Sequence, residues 1–302
     1  MENIQAMLEK KRNEYRNSLF IFAALLILGV LTVFFYVGIA VIIGGVVYYF
    51  LAVAKKKAAY REAFKETLVS CALEEAFTEV RFESSLGLPQ SLVESARLVQ
   101  TGNIYESDDY IRARYKGVLF QRADVCIQMR TQHTTTDGQG HTTTHTQITT
   151  YFKGLWMIFD FNKNFSTTLH VADRRFSYYA KTLGMLVGRA KMKKIEMEDI
   201  HFNKEYRIYG DSQHEAYYIL TPAMMENIRL LNEQTAGHLL LCFTEGKLHV
   251  AVNNGKNDFE PPLFGKFDFE KERQKVQEGI SCITRFVDGF SLDRNIFKQN
   301  TE

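Results

Sequence analysis

The stretch NSLFIFAALLILGVLTVFFYVGIAVIIGGVVYYFLAVA, residues 17–54, decides how this chain of 302 residues begins. It contains no Asp, Glu, Lys, Arg or His. One helix through it would be about 57 Å long, nearly twice the bilayer core of about 30 Å. The length therefore predicts a transmembrane helical hairpin, with segments over 19–35 and 39–53 and a reversal at 36–38. A re-entrant hairpin that stops short of the far side is the alternative.

Basic side chains lie at both ends of this stretch. They are Lys10, Lys11, Arg12 and Arg16 before it, and Lys55, Lys56, Lys57 and Arg61 after it. Lys and Arg are in excess on cytoplasmic flanks, so both ends are predicted to be cytoplasmic. The chain is thus expected to be a two-pass membrane protein with both termini on the cytoplasmic side.

Small residues inside the stretch predict close packing between helices. Ala40 and Gly44 are four apart on the second segment, and Gly29 lies on the first. Small side chains let helix backbones approach closely in lipid. We therefore expect these residues to form transmembrane packing contacts, with their general frequency in membrane helices as the alternative explanation.

The rest of the chain has the patterns of an α+β protein with a largely antiparallel sheet. Turn residues at Lys116-Gly117 and Glu245-Gly246 predict two β-hairpins. Apolar spacing predicts an amphipathic helix from Tyr60 to Val80, residues 155–159 read as a buried central strand, and 169–171 as an edge strand. The predicted division is an interfacial helix (1–17), the hairpin (18–54), an amphipathic stalk helix with a short helix (55–100), and a cytoplasmic domain (101–302), with subdomains 101–180 and 195–302 as an alternative.

Composition excludes several classes of protein. The formal charge of +2 is nearly neutral, and no basic cluster predicts nucleic-acid binding. Four cysteines form no zinc-type pair, so we expect small buried thiols in a reducing compartment. The motifs of phosphate-binding loops, dinucleotide folds, α/β-hydrolases and HExxH metalloproteases do not occur.

Two polar segments contain histidines that could bind a metal or transfer a proton. Residues 131–150 combine threonines with three histidines and predict a protruding β-hairpin. His141 and His145 would be about 13 Å apart along a strand, too far to share a metal. His133 would lie on the opposite face with a two-residue turn and on the same face with an odd-numbered one. No metal or other cofactor is therefore predicted.

The second polar segment contains Asp211, His214 and Glu215, the densest group of titratable residues. A His beside carboxylates can act as a general base. Acids at this kind of position more often cap an element or face solvent, so we assign no catalytic residue.

Several stretches resemble one bacterial family. They are Tyr110-Ile111-Arg112-Ala113-Arg114-Tyr115-Lys116-Gly117-Val118, Phe152-Lys153-Gly154-Leu155, Phe159–Lys163, Phe202–Leu231 and Gly246–Val252, continuing to Phe259-Glu260-Pro261. With the apolar hairpin, they are similar to the domain-of-unknown-function family 3137. The resemblance implies a bacterial inner-membrane protein with two N-terminal spans and a cytoplasmic α+β domain, and implies no activity or site residues.

The sequence thus favours a membrane-anchored cytoplasmic binding or scaffolding module of unknown ligand. Its expected partners are the lipid bilayer and a protein, either another protein or a second copy in a homo-oligomer. The alternatives are a membrane-tethered hydrolase with a dispersed site and a subunit of a small membrane transport or defence complex.

Overall fold

The computed structural model describes residues 2–33, 37–136, 142–161, 167–179 and 192–293. The chain separates into two compact units, one of residues 1–75 with 259–279 and one of residues 76–258 with 280–302. Residues 34–36, which include part of the predicted reversal, residues 137–141, which include His141, and residues 180–191 lie outside the described residues.

The first unit is built on apolar helices. Its elements are α1 (Glu2–Leu31), α2 (Val37–Tyr48), a π-helical turn (Tyr49–Val53), α3 (Ala54–Phe64), a second π-helical turn (Lys65–Val69) and α4 (Ser70–Ala76). Two continuous helical stretches, Asn3–Leu31 and Val37–Ala76, are long and apolar enough to cross a membrane. Helix α1 runs through residue 17 without a break, so no structural boundary separates the predicted interfacial helix from the hairpin.

Close backbone approach brings α1 and α2 together. A Cβ added at Gly38 would lie 2.2 Å from the carbonyl oxygen of Gly29, and one added at Gly29 would lie 2.5 Å from Ile42. Only glycine fits such a contact between helices.

A segment before the last helix packs on the polar ends of α1 and α3. The Arg12 guanidinium donates to the carbonyl oxygens of Leu263, at 3.2 Å, and Gly265, and the Tyr60 hydroxyl donates to Pro262 at 2.9 Å. Arg12 is only 4% exposed. This predicted flanking residue therefore also holds the backbone of the segment through buried hydrogen bonds.

The second unit is one nine-stranded antiparallel sheet with helices. Its strands are β1 (Thr78–Glu83), β2 (Ile104–Tyr115), β3 (Val118–Thr136), β4 (Thr142–Asp160), β5 (Leu169–Asp173), β6 (Lys193–Lys194), β7 (Tyr206–Gly210), β8 (His238–Thr244) and β9 (Lys247–Asn253). Their order is β1-β2-β3-β4-β9-β8-β5-β7-β6. The predicted α+β class with a largely antiparallel sheet is confirmed. Since β9 pairs with β4 and β5 lies between β8 and β7, residues 101–180 and 195–302 share one sheet.

The described residues also form five further helices: α5 (Gln90–Ser95), α6 (Ile200–Glu205), α7 (Gln213–Ile219), α8 (Pro222–Gln234) and α9 (Phe269–Gly289). Thr221 caps α8 by accepting from the Met224 amide at 3.3 Å, and proline occupies the first helical position, so both residues favour a helix start there. Ser212 caps α7 by accepting from the Glu215 amide at 3.3 Å.

Two predicted elements are wrong. The helix expected to reach Val80 ends at Ala76, and the alternating Thr78-Glu79-Val80-Arg81-Phe82 forms β1 against β2. The strand at 169–171 is interior and fully buried rather than an edge, because β7 and β8 pair with its two sides.

The core of the sheet contains a buried polar row. Cys242 on β8 pairs with His249 on β9 and with His170 on β5, so these three side chains lie side by side across the sheet. On β4, Ile158 pairs with His249 and ends the row. The Trp156 indole donates to His249 Nδ1 at 3.4 Å, and His170 Nδ1 lies 2.9 Å from the Tyr179 hydroxyl. Of the cysteines, Cys242 is buried as predicted whereas Cys71 is exposed.

Candidate functional site

An open polar pocket of ≈ 490 Å³ lies in the sheet unit, against β2, β3 and β4. The loop after β9 forms one wall. Its charged lining residues are Glu106, Asp108, Asp124, Lys153 and Lys256. Carboxylates and ammonium groups of opposite sign therefore face one space, which suits a polar or zwitterionic ligand.

A bulge in β2 brings the acids together. The β2–β3 register shifts between Asp108 and Ile111, and Asp109 adopts a left-handed φ of 58° while fully buried. Bulges bend a strand and re-aim its side chains. Gly87 packs on this bulge so closely that an added Cβ would lie 2.3 Å from the Ser107 hydroxyl.

Arg122 is the buried counter-charge of this region. Its guanidinium is 3.1 Å from Asp124 Oδ1 and 2.8 Å from Asp258 Oδ2. The Asp258 amide also donates to Asp124 Oδ2 at 3.2 Å. Strand β3 thus ties the loop after β9 to the pocket floor through one guanidinium and one carboxylate.

Burial raises the pKa of Asp124 to about 7, although Arg122 opposes the shift. The negative charges of Asp258 and Asp109 add to the rise. A carboxyl that titrates near neutrality can accept or donate a proton in a reaction. Asp124 is therefore the residue of the pocket with the clearest capacity for acid–base chemistry.

Three acids of this region form a cluster with the donor atoms of a cation site. One oxygen each from Asp108, Asp109 and Asp124 lie within 4.8 Å of one another. Arg122 already supplies positive charge beside Asp124, however, and hard cations prefer sites in which several oxygens converge on the ion. We assign no ion to this cluster.

The predicted polar group at Asp211 has a structural role. Asp211 accepts from the Thr167 hydroxyl and from the Thr168 amide at 3.1 Å, and Glu215 accepts from the Thr167 amide at 3.1 Å. His214 is exposed. These acids hold the start of β5 and do not converge on the histidine.

The predicted membrane residues fall in different surroundings. Gly29 lies in the α1–α2 contact, whereas Ala40 and Gly44 are exposed on α2, and a Cβ at Gly44 would meet nothing within 4 Å among the described residues. The predicted topology-setting residues lie on α1 and α3, namely Lys10, Lys11, Arg12, Arg16, Lys55, Lys56, Lys57 and Arg61.

Sequence reasoning missed the pocket acids. Asp124 stands in the otherwise apolar run Ala123–Ile127, and Glu106, Asp108 and Asp109 crowd one strand. A carboxylate inside a buried strand was the available signal, but its partner Asp258 is more than a hundred residues away along the chain.

Comparison with known proteins finds a family model that is similar to part of the chain. Residues 150–292 match the family model described as "Protein of unknown function (DUF3137)", which confirms the predicted resemblance. No curated protein matches the chain. The crystal structure of the mycobacterial trehalose monomycolate transport factor A, TtfA, is similar with a TM-score of 0.39 and 8% identity, covering 76% of this chain and 95% of that chain. A likeness at this level carries no argument about function.

Proposed function

We propose that this chain, whose residues 150–292 match the DUF3137 family model, is a membrane-anchored module whose sheet unit binds a polar ligand or partner on the cytoplasmic side. The pocket of ≈ 490 Å³ with charges of both signs carries this proposal. The apolar helices α1 and α2 support an anchor in the bacterial inner membrane.

The pocket is tested by affinity capture from gently solubilised membranes. We expect the full chain to retain a partner or ligand that K153E loses, because the reversed charge disrupts the lining. K247E is the matched control, since Lys247 is the first residue of β9 and does not line the pocket. Equal capture by all three proteins would refute a binding role for this pocket.

Basic residues at both flanks support a cytoplasmic location for both termini. A reporter active only in the cytoplasm should function when fused after Glu302, and a reporter active only in the periplasm should not. The opposite pattern would refute the orientation.

The exposed residues Ala40 and Gly44 support association of the hairpin with a second copy or another membrane helix. Cysteine cross-linking in membranes should join chains of A40C and G44C. I42C is the control, because Ile42 packs within the hairpin against Gly29. Cross-linking of I42C alone would contradict this surface.

The raised pKa of Asp124 favours one second candidate, a membrane-tethered hydrolase. Turnover of chromogenic esters or phosphoesters that D124N abolishes and H214Q retains would support it. Turnover unaffected by D124N would exclude this carboxyl as its acid or base.

A further inference from the structure

The threonine-rich hairpin continues beyond the sheet as a two-stranded ribbon. Pairing of β2 with β3 ends at Gln128, and pairing of β9 with β4 begins at Leu155. Beyond these points β3 and β4 pair with each other as far as Thr136 and Thr142. The side chains of 132–135 and 142–148 are exposed, so both faces of the ribbon are open to solvent among the described residues.

The register places two histidines directly opposite one another. His133 pairs with His145, between the pairs Gln132 with Thr146 and Thr134 with Thr144. Directly opposed residues share a face, with Cβ atoms about 4.5–5.5 Å apart. His133 therefore lies on the same face as His145, as the sequence predicts for an odd-numbered turn. The spacing of about 13 Å that excludes a shared metal applies to His141 and His145, which the sequence predicts on one strand, and not to this cross-strand pair.

Two opposed imidazoles can bind one metal ion between them. Nitrogen ligands approach Zn²⁺ at about 2.0–2.1 Å, so ring nitrogens on neighbouring strands reach a common ion by side-chain rotation. Imidazole suits Zn²⁺, Cu²⁺ and Ni²⁺, and affinity rises toward Cu²⁺. The neighbouring described positions on both strands carry Thr and Gln, so no cationic side chain among them opposes the ion.

The ribbon also limits the freedom of the two side chains. The Thr134 and Thr144 hydroxyls lie 3.3 Å apart, within hydrogen-bond distance, in the adjacent cross-strand pair. Metal binding between paired strands costs less backbone conformational entropy than metal binding within a loop, because the hydrogen bonds between the strands already fix both residues.

We propose that His133 and His145 form a surface site for a divalent transition-metal ion, with Cu²⁺ bound more tightly than Zn²⁺ and water completing the coordination. The site is independent of the pocket and of the function proposed for it. Its consequence is a metal-dependent clamp that joins the two strands of the ribbon.

Titration of the full chain in detergent with Cu²⁺ and with Zn²⁺ tests the site. We expect wild type and H214Q to bind alike, and H133Q and H145Q each to weaken binding by about tenfold or more, with His141 unchanged in every variant. Hydrogen exchange should show that Zn²⁺ protects amides of 142–148 in the wild type and not in H145Q. Failure of wild type to bind either ion, or undiminished binding by the double variant H133Q/H145Q, would overturn the proposal.

Discussion

Acidification should act on the stability of the sheet unit through two buried histidines and one buried carboxyl. Burial lowers the pKa of His170 to about 3 and, with a smaller effect of Lys247, that of His249 to about 4. An unfolded histidine titrates near 6.5. The unfolded chain therefore binds more protons below pH 6.5, and stability is lost as the pH falls from there toward 4. Each histidine costs about 2 kcal/mol at pH 5 relative to pH 7.

Asp124 opposes this loss. Its pKa is raised to about 7 in the folded state, and an unfolded Asp titrates near 3.9. The folded chain therefore binds the extra proton between these values, and Asp124 contributes about 2 kcal/mol of stability as the pH falls from 7 to 5. The expected net change for the wild type is a loss of about 2 kcal/mol.

Urea unfolding of the full chain in detergent, followed by fluorescence, measures this balance. Trp156 is the single tryptophan and is fully buried beside His249, so its emission reports the sheet unit. Between pH 7 and 5, H249N should lose about 0 kcal/mol and D124N about 4 kcal/mol. Parallel pH profiles for wild type and both variants would refute the reasoning.

Three further perturbations follow from single contacts. R122M should lower the free energy of unfolding at pH 8 by about 3–5 kcal/mol because Asp124 is left as an uncompensated buried charge, and D124N should rescue part of it; an unchanged urea midpoint would contradict this. G38A should reduce the yield of folded protein in membranes because its Cβ would collide with the backbone of α1, whereas G44A meets open space; equal yields would count against the contact. T221A removes the cap of α8 and should cost about 1 kcal/mol in the same titration, and a cost near zero would mean that another group replaces it.

Local signals predicted the elements that depend on local physics. The length of the apolar stretch predicted two helices, and Lys116-Gly117 predicted a tight turn that the structure forms with φ of 49° and 81°. Thr221 and Pro222 start α8 through equally local effects, since a cap and a fixed φ act on adjacent residues.

The predictions failed where the structure depends on contacts between residues that are far apart in the sequence. Thr78–Glu83 continued a helical spacing by chance, and pairing with β2 made it a strand. The face of the ribbon on which His133 lies depends on the length of one turn, and the sequence allowed two turn lengths that place it on opposite faces. The pocket needed a bulge in β2 and a carboxylate from the loop after β9, and neither has a short sequence signature.

The acids at Asp211 and Glu215 and the acid at Asp124 contribute differently to the stability of the sheet unit. Asp211 and Glu215 accept hydrogen bonds from the amides and hydroxyl of Thr167 and Thr168, and carboxylates that cap backbone amides stabilise a fold directly. A buried ion pair such as Arg122 with Asp124 gives little net stability, because apolar residues of similar volume often do as well or better. A carboxyl whose folded pKa is near 7 even costs stability at neutral pH. Asp124 also accepts from the Asp258 amide and so holds the loop after β9. Its position on the pocket floor, at a cost in stability at neutral pH, favours an additional role in the ligand chemistry of the pocket.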